Sequence, residues 1–154
     1  MTEFLLSVHV LAAIVFIGPV TVAVSLFPRY AREAAGGAPP PGALPAVHLL
    51  HRITRVYAVL ALVVPVFGIS TALALDVLTD AWLLVSMLLT ALAGLLLALV
   101  VLPRQAAVRT ALDAGAGSGG VDVRALAMGA GVFNLLWATV VVLMIVRPGS
   151  TTGV

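Results

Sequence analysis

Few side chains in this sequence could do chemistry, and the histidines come first. His9 lies inside a long apolar run, where an ionisable residue is a functional candidate by default. A neutral imidazole is also a common ligand of haem iron. Met87, Met144 and Asn134 lie in other apolar runs. The cofactor-binding set to test is therefore His9, Met87 and Asn134 around a haem b, with His9 and Met87 as an axial pair. The plainer alternative is a neutral His9 bonded to a hydroxyl or carbonyl, methionines as core filler and Asn134 as an interhelical hydrogen-bond anchor. His48 and His51 stand three apart, a spacing that permits a metal on one helix face. Arg52 and Arg55 flank them, and the nearby loop carboxylate is Glu33. A cation would meet like charge there, so a rim that attracts lipid headgroups is the better reading. Asp76 and Asp80 bracket a short turn and read as solvated rather than as a cation site. The chain has no cysteine, which removes disulfides, thiolate metal sites and cysteine nucleophiles. It has no Ser/His/Asp group, phosphate loop or HExxH motif. Neither catalytic residues nor a protein metal site is expected, and no acid is placed to relay protons through the apolar runs.

The elements that must position these residues follow from composition. Of 154 residues, 62% are hydrophobic and 9% charged, where a soluble domain carries about 25% charged residues. Mean hydropathy is +1.23. A soluble enzyme could not cover so much apolar surface, and a disordered chain would be polar. Eight arginines, no lysine and six acids give a net charge of +2, too sparse for a nucleic-acid face. Four apolar runs stand out: Phe4–Phe27, Ile53–Leu75, Ala81–Leu102 and Ala125–Val146. As helices each reaches about 33 Å, enough to cross a hydrocarbon core of about 30 Å. Only helices satisfy the backbone of such segments in lipid. The first run has no basic leader, carries Glu3 in front and is longer than the core of a secretory signal, so it reads as a span. The expected fold class is all-α: an up-and-down four-helix transmembrane bundle forming one integral membrane domain over residues 1–154.

Arginine placement orients the bundle. Arg29, Arg32, Arg52 and Arg55 attend the first long connection, and Arg104, Arg109 and Arg124 the second. The 76–80 turn has none, and the C-terminal tail has Arg147. The positive-inside rule then puts both long connections in the cytoplasm and both termini outside. Arg29, Arg52, Arg55 and Arg104 are expected to face lipid headgroups. Arginine in place of lysine, with much Ala, Gly and Val, points to a GC-rich bacterial genome and hence to the bacterial cytoplasmic membrane. On this topology His9 lies about 7 Å inside the outer boundary, with Met87 at similar depth. His9 and His51 cannot share one iron: metal–imidazole bonds of about 2 Å need α-carbons within roughly 13 Å, and the two sit at opposite ends of their spans.

The connections Ala34–Pro45 and Asp113–Gly120 have linker compositions, and Pro45 suits the opening of a helix that runs through His48 and Arg52 into the second span. The first and third spans both end at Pro-Arg, as Pro28-Arg29 and Pro103-Arg104. That echo reads either as a duplicated hairpin or as helix stops with snorkelling arginines; helix stops are preferred. Small and polar residues at helical spacing predict the packed faces. These are Thr54, Tyr57, Ala61, Pro65, Gly68 and Ala72 in the second span; Ser86, Thr90, Ala93 and Leu97 in the third; and Ala127, Gly131, Asn134 and Ala138 in the fourth. Ser7, Gly18, Thr21 and Ser25 share one face of the first span and His9, Ala12, Ala13, Phe16 and Val20 the other. Either the bundle wraps that span, or the His9 face meets a second subunit or a cofactor. Pro19 and Pro65 should kink their spans.

The stretch Leu6-Ser7-Val8-His9-Val10-Leu11-Ala12-Ala13-Ile14-Val15-Phe16-Ile17-Gly18-Pro19 resembles a known opening. With His51-Arg52-Ile53-Thr54-Arg55, Leu102-Pro103-Arg104 and Met144-Ile145-Val146-Arg147-Pro148, it resembles the integral membrane family called domain of unknown function 2269. That resemblance implies four spans and no particular activity. The opening is more distantly similar to the copper-resistance D membrane domain and to the haem-containing membrane protoporphyrinogen oxidase. In the latter an H-x-x-A-x-x-x-W-x-G-type opening supplies a haem-binding histidine, which corresponds to His9. Phe27-Pro28-Arg29-Tyr30 resembles the end of that enzyme's first span. Here Phe16 replaces the Trp, Pro19 follows Gly18, and Leu135 replaces the acid after the span-four Asn. These departures count against oxidase activity and leave the haem implication in place.

Three functional expectations result. The first is a membrane protein without a catalytic constellation, acting as a homodimer or accessory subunit and partnered by the lipid bilayer rather than by nucleic acid. The second is a haem b redox protein using His9. The third is a metal-handling or small-solute protein of copper-resistance D type.

Overall fold

The structure, a computed structural model, describes residues 2–115, 117 and 122–149. Within them the chain forms four long helices and no strand: α1 (Thr2–Ala34), α2 (Ala43–Leu75), α3 (Ala81–Asp113) and α4 (Val123–Val146). All four are long and apolar enough to cross a membrane. Connectivity is up-and-down, so α1 and α2 pack antiparallel along their length, and α4 packs on α3 and on the second half of α1. At the end that carries Arg29, Arg52 and Arg104, α3 also meets α1 and α2. Ala116, Ser118, Gly119 and Gly120, in the second expected linker, lie outside the described residues.

Prolines mark each interruption. α1 passes through a π turn at Ala13–Ile17 just before Gly18-Pro19, and α3 through another at Leu97–Val101 just before Leu102-Pro103. A wider turn makes room for a ring that would collide with the carbonyl one turn back. In α2, Pro65 cannot donate to the Ala61 carbonyl. The ladder tightens there instead: Leu62 N–H bonds the Val59 carbonyl at 3.1 Å and Val64 N–H the Ala61 carbonyl at 3.0 Å. The expected distortions at Pro19 and Pro65 are thus present. The expected stops at Pro28 and Pro103 are not, because both prolines lie within continuing helix. Phe27 at the end of the apolar run and Pro28 and Ala31 beyond it are buried, and that packing carries α1 on to Ala34. Pro45 does stand in the first turn of α2, after Gly42 in a left-handed turn with φ 96°.

The first three helices have 33 residues each, about 50 Å of rod. They overreach a hydrocarbon core of about 30 Å at the arginine-bearing end. Two cores reflect this. A central one joins all four helices through Val20, Val24, Val64, Ala93, Leu97 and Phe133. A second one, around Phe27, Ala31, Val47, Leu50, Val108 and Leu112, joins the extensions. The exterior is apolar: Leu99 is 69% and Leu135 70% exposed. Leucines so exposed along every helix suit lipid rather than water.

The predicted seams of the second and third spans hold, with Thr54, Ala72, Ser86, Ala93 and Leu97 buried. In the first span the bundle itself buries the His9 face. Ser7 and Ser25 face outward, their hydroxyls bonded to carbonyls four residues back at 2.7 Å. The fourth seam is rotated. Leu126, Gly129, Ala130, Phe133 and Val140 point inward, while Ala127, Gly131 and Ala138 are exposed. Close approach falls at Gly129, where a Cβ would stand 3.4 Å from Val101 Cγ2, and Phe133 and Leu126 fill the space beside it.

Candidate functional site

His9 is the buried titratable residue of the apolar half of the bundle. Its Nδ1 lies 2.9 Å from the Val64 carbonyl oxygen. A carbonyl only accepts, so Nδ1 carries the proton and donates, and Nε2 keeps its lone pair. The ring lies against Gly68, where a Cβ would come within 2.9 Å of Cε1. The turn of α2 from Val64 to Gly68, left bare by Gly68, therefore seats the imidazole. Nε2 has no protein hydrogen-bond partner among the described residues.

The structure does not bring the other expected cofactor residues to His9. Met87 is a 38% exposed residue of α3, in the half that pairs with α4. Asn134 donates through Nδ2 to Ser25 Oγ at 2.9 Å. Ser25 is sixteen residues beyond His9 on α1, about 24 Å of helix. The His9/Met87 axial pair assumed that spans one and three face each other at one depth. In the fold α1 faces α2 there instead.

A second polar group was not legible as such. His51 is buried, and its Nδ1 donates to Gln105 Oε1 at 3.2 Å. Gln105 Nε2 reaches Thr54 Oγ1 at 3.5 Å, and Thr54 donates to the Leu50 carbonyl at 2.9 Å. Every donor in this chain of bonds points one way, which fixes the amide and the tautomer. Burial pushes the His51 imidazole below the usual histidine range; the Gln105 bond opposes that, and Arg109, Arg55 and His48 add to the lowering. His48 does not share a face-bound metal with His51. It pairs with Asp113 Oδ1 at 2.9 Å. Glu33, the acid expected beside the histidines, instead bonds Arg29 Nε at 3.0 Å. Asp113 reaches His48 because α3 continues eleven residues past Leu102. Nothing local in the sequence announces that.

At the opposite end, Trp82 Nε1 donates to Asp80 Oδ2 at 2.9 Å, and the Arg147 guanidinium stands 5.6 Å over the Trp82 ring. The indole in the first turn of a span, two residues after an acid, was the available signal. Asp80 is thus an indole acceptor rather than a free carboxylate. Among the described residues, no three His, Asp or Glu side chains converge as a metal site.

A groove runs between α1 and α4 at the arginine-bearing end. It is an open depression of about 360 Å³, lined by Ser25, Arg29 and Arg32 on one side and Ala127, Gly131 and Asn134 on the other. Of the expected headgroup-facing arginines, Arg29 lines it; Arg52 and Arg104 are exposed and Arg55 is exposed one turn further along α2.

No family model, no curated protein and no solved structure matches the chain.

Proposed function

We propose that this is a multi-pass protein of the bacterial cytoplasmic membrane that acts by lateral association, as a homodimer or accessory subunit, rather than by catalysis. Its arginine-bearing end faces the cytoplasm and its termini face outward. One observation carries this reading. Three polar side chains within the bundle make helix-to-helix bonds: His9 with Val64, Asn134 with Ser25, and His51 with Gln105. Such bonds fix the packing of helices in lipid, and the exposed apolar faces are left for lipid or a neighbouring protein. Membership of the domain of unknown function 2269 family, which the resemblance implies, would accord with the four spans and leaves the activity open. Light scattering in mild detergent, corrected for bound detergent, tests it. The expected mass is twice that of the 15.8 kDa chain or that of a co-purifying complex. A bare monomer at all concentrations, with nothing co-purifying, counts against it.

A second reading has one specific observation in its favour. An imidazole whose Nδ1–H is fixed on a backbone carbonyl and whose Nε2 is free is arranged as ligand histidines are. His9 would then hold a haem b iron, which would supply one-electron chemistry when bound. Neither Met87 nor Asn134 stands beside it to complete the iron's coordination. The visible spectrum of protein purified after haem-supplemented growth decides. A Soret band that His9→Ala abolishes supports this reading, and a featureless spectrum removes it.

A further inference from the structure

We propose that the groove between α1 and α4 binds one anionic phospholipid, its phosphate held by Arg29 and Arg32 and a headgroup hydroxyl donated to Asn134. The inference rests on the reading of the chain as a bilayer protein.

Three observations meet in this groove. The first is space. Ala127 and Gly131 contribute almost no side chain, and a Cβ built on Gly131 meets nothing within 4 Å, so about 360 Å³ stays open. The second is an unmet acceptor. Ser25 donates its hydroxyl to the Thr21 carbonyl at 2.7 Å, so its oxygen can only accept from Asn134. That assigns Nδ2 to the Ser25 bond and leaves Oδ1 as the free atom. Among the described residues, Asn134 Oδ1 is buried without a hydrogen-bond partner. A buried amide oxygen calls for a donor, which a hydroxylated headgroup has and a choline headgroup lacks. The third is charge. Arg29 gives Nε to Glu33 and retains its other N–H donors. Arg32 lies one turn away on the same rim, exposed. Two guanidinium groups at the mouth favour phosphate. A second copy is a poorer occupant, because a two-fold contact through this face would set both pairs of arginines against each other.

Native mass spectrometry of the detergent-purified chain tests the site, titrated separately with phosphatidylglycerol, phosphatidic acid and phosphatidylcholine. The expected result is a single phosphatidylglycerol adduct, at least tenfold tighter than that of phosphatidylcholine and several-fold tighter than that of phosphatidic acid. Gly131→Leu, which fills the groove, should weaken it at least tenfold, and Arg32→Gln several-fold. Ala127→Leu, at a second exposed position on the same wall, replaces Gly131→Leu if that variant does not fold. Equal binding of all three lipids, or unchanged phosphatidylglycerol binding in the filled variants, overturns the proposal. So does efficient disulfide cross-linking between copies carrying Gly131→Cys, which would put a second subunit in the groove. A chain that stays in solution without detergent would instead defeat the bilayer reading itself.

Discussion

At the residue scale, His9 and Gly68 act as one unit. The imidazole is held by the Val64 carbonyl and occupies the place where a side chain at position 68 would be. Alanine normally improves a helix over glycine by about 1 kcal/mol. Here a methyl would sit 2.9 Å from a ring carbon, closer than packed atoms tolerate. Overpacking a filled site costs about 1–3 kcal/mol, so Gly68→Ala should be destabilising on balance. Gly94→Ala and Gly131→Ala, whose Cβ atoms would meet nothing within 4 Å, should be neutral or slightly stabilising. Thermal unfolding followed by circular dichroism in one detergent separates them, and equal melting of all three variants would remove the special status of Gly68. The sequence singled out His9 and Asn134 and offered the bonded alternative for each. It could not name Val64 or Ser25 as partners. Those pairings depend on how far each helix is rotated about its axis, and the fourth was rotated away from its small-residue stripe by Phe133 and Leu126.

At the element scale, the extensions of α1, α2 and α3 past the lipid-facing runs form a second packed layer around Phe27 and Val47, both fully buried. The four spans were legible because membrane-length apolar runs leave no other secondary structure open. The extensions were not, because Pro28 and Pro103 read as stops and only tertiary burial carries the helices past them. This layer holds His51, which makes its stability depend on pH. The folded state binds the His51 proton more weakly than the unfolded chain does. Stability from this group is therefore fully present above about pH 6.5, the ordinary histidine value. It is lost as pH falls below that, where the unfolded state binds more protons. The His48–Asp113 pair is exposed on both sides and contributes little at any pH. Melting temperatures between pH 8 and pH 5 should fall with acidity in the native chain, and His51→Gln should flatten the acid limb. An unaltered limb in that variant would assign the acid sensitivity to another group.

At the scale of the whole molecule, seven of eight arginines gather at one end of four antiparallel helices whose outer surfaces are apolar. That asymmetry is what the proposed orientation across a bilayer rests on. Because the chain has no cysteine, single cysteines can report on each side. Gly37 and Thr79 are exposed in the connections at opposite ends. The decisive measurement is labelling of Gly37→Cys and Thr79→Cys in intact cells with a membrane-impermeant maleimide. Four crossings with the arginines inside predict that Thr79→Cys reacts at once and Gly37→Cys only after permeabilisation. Equal labelling of both in intact cells, or the reverse order, would contradict the account.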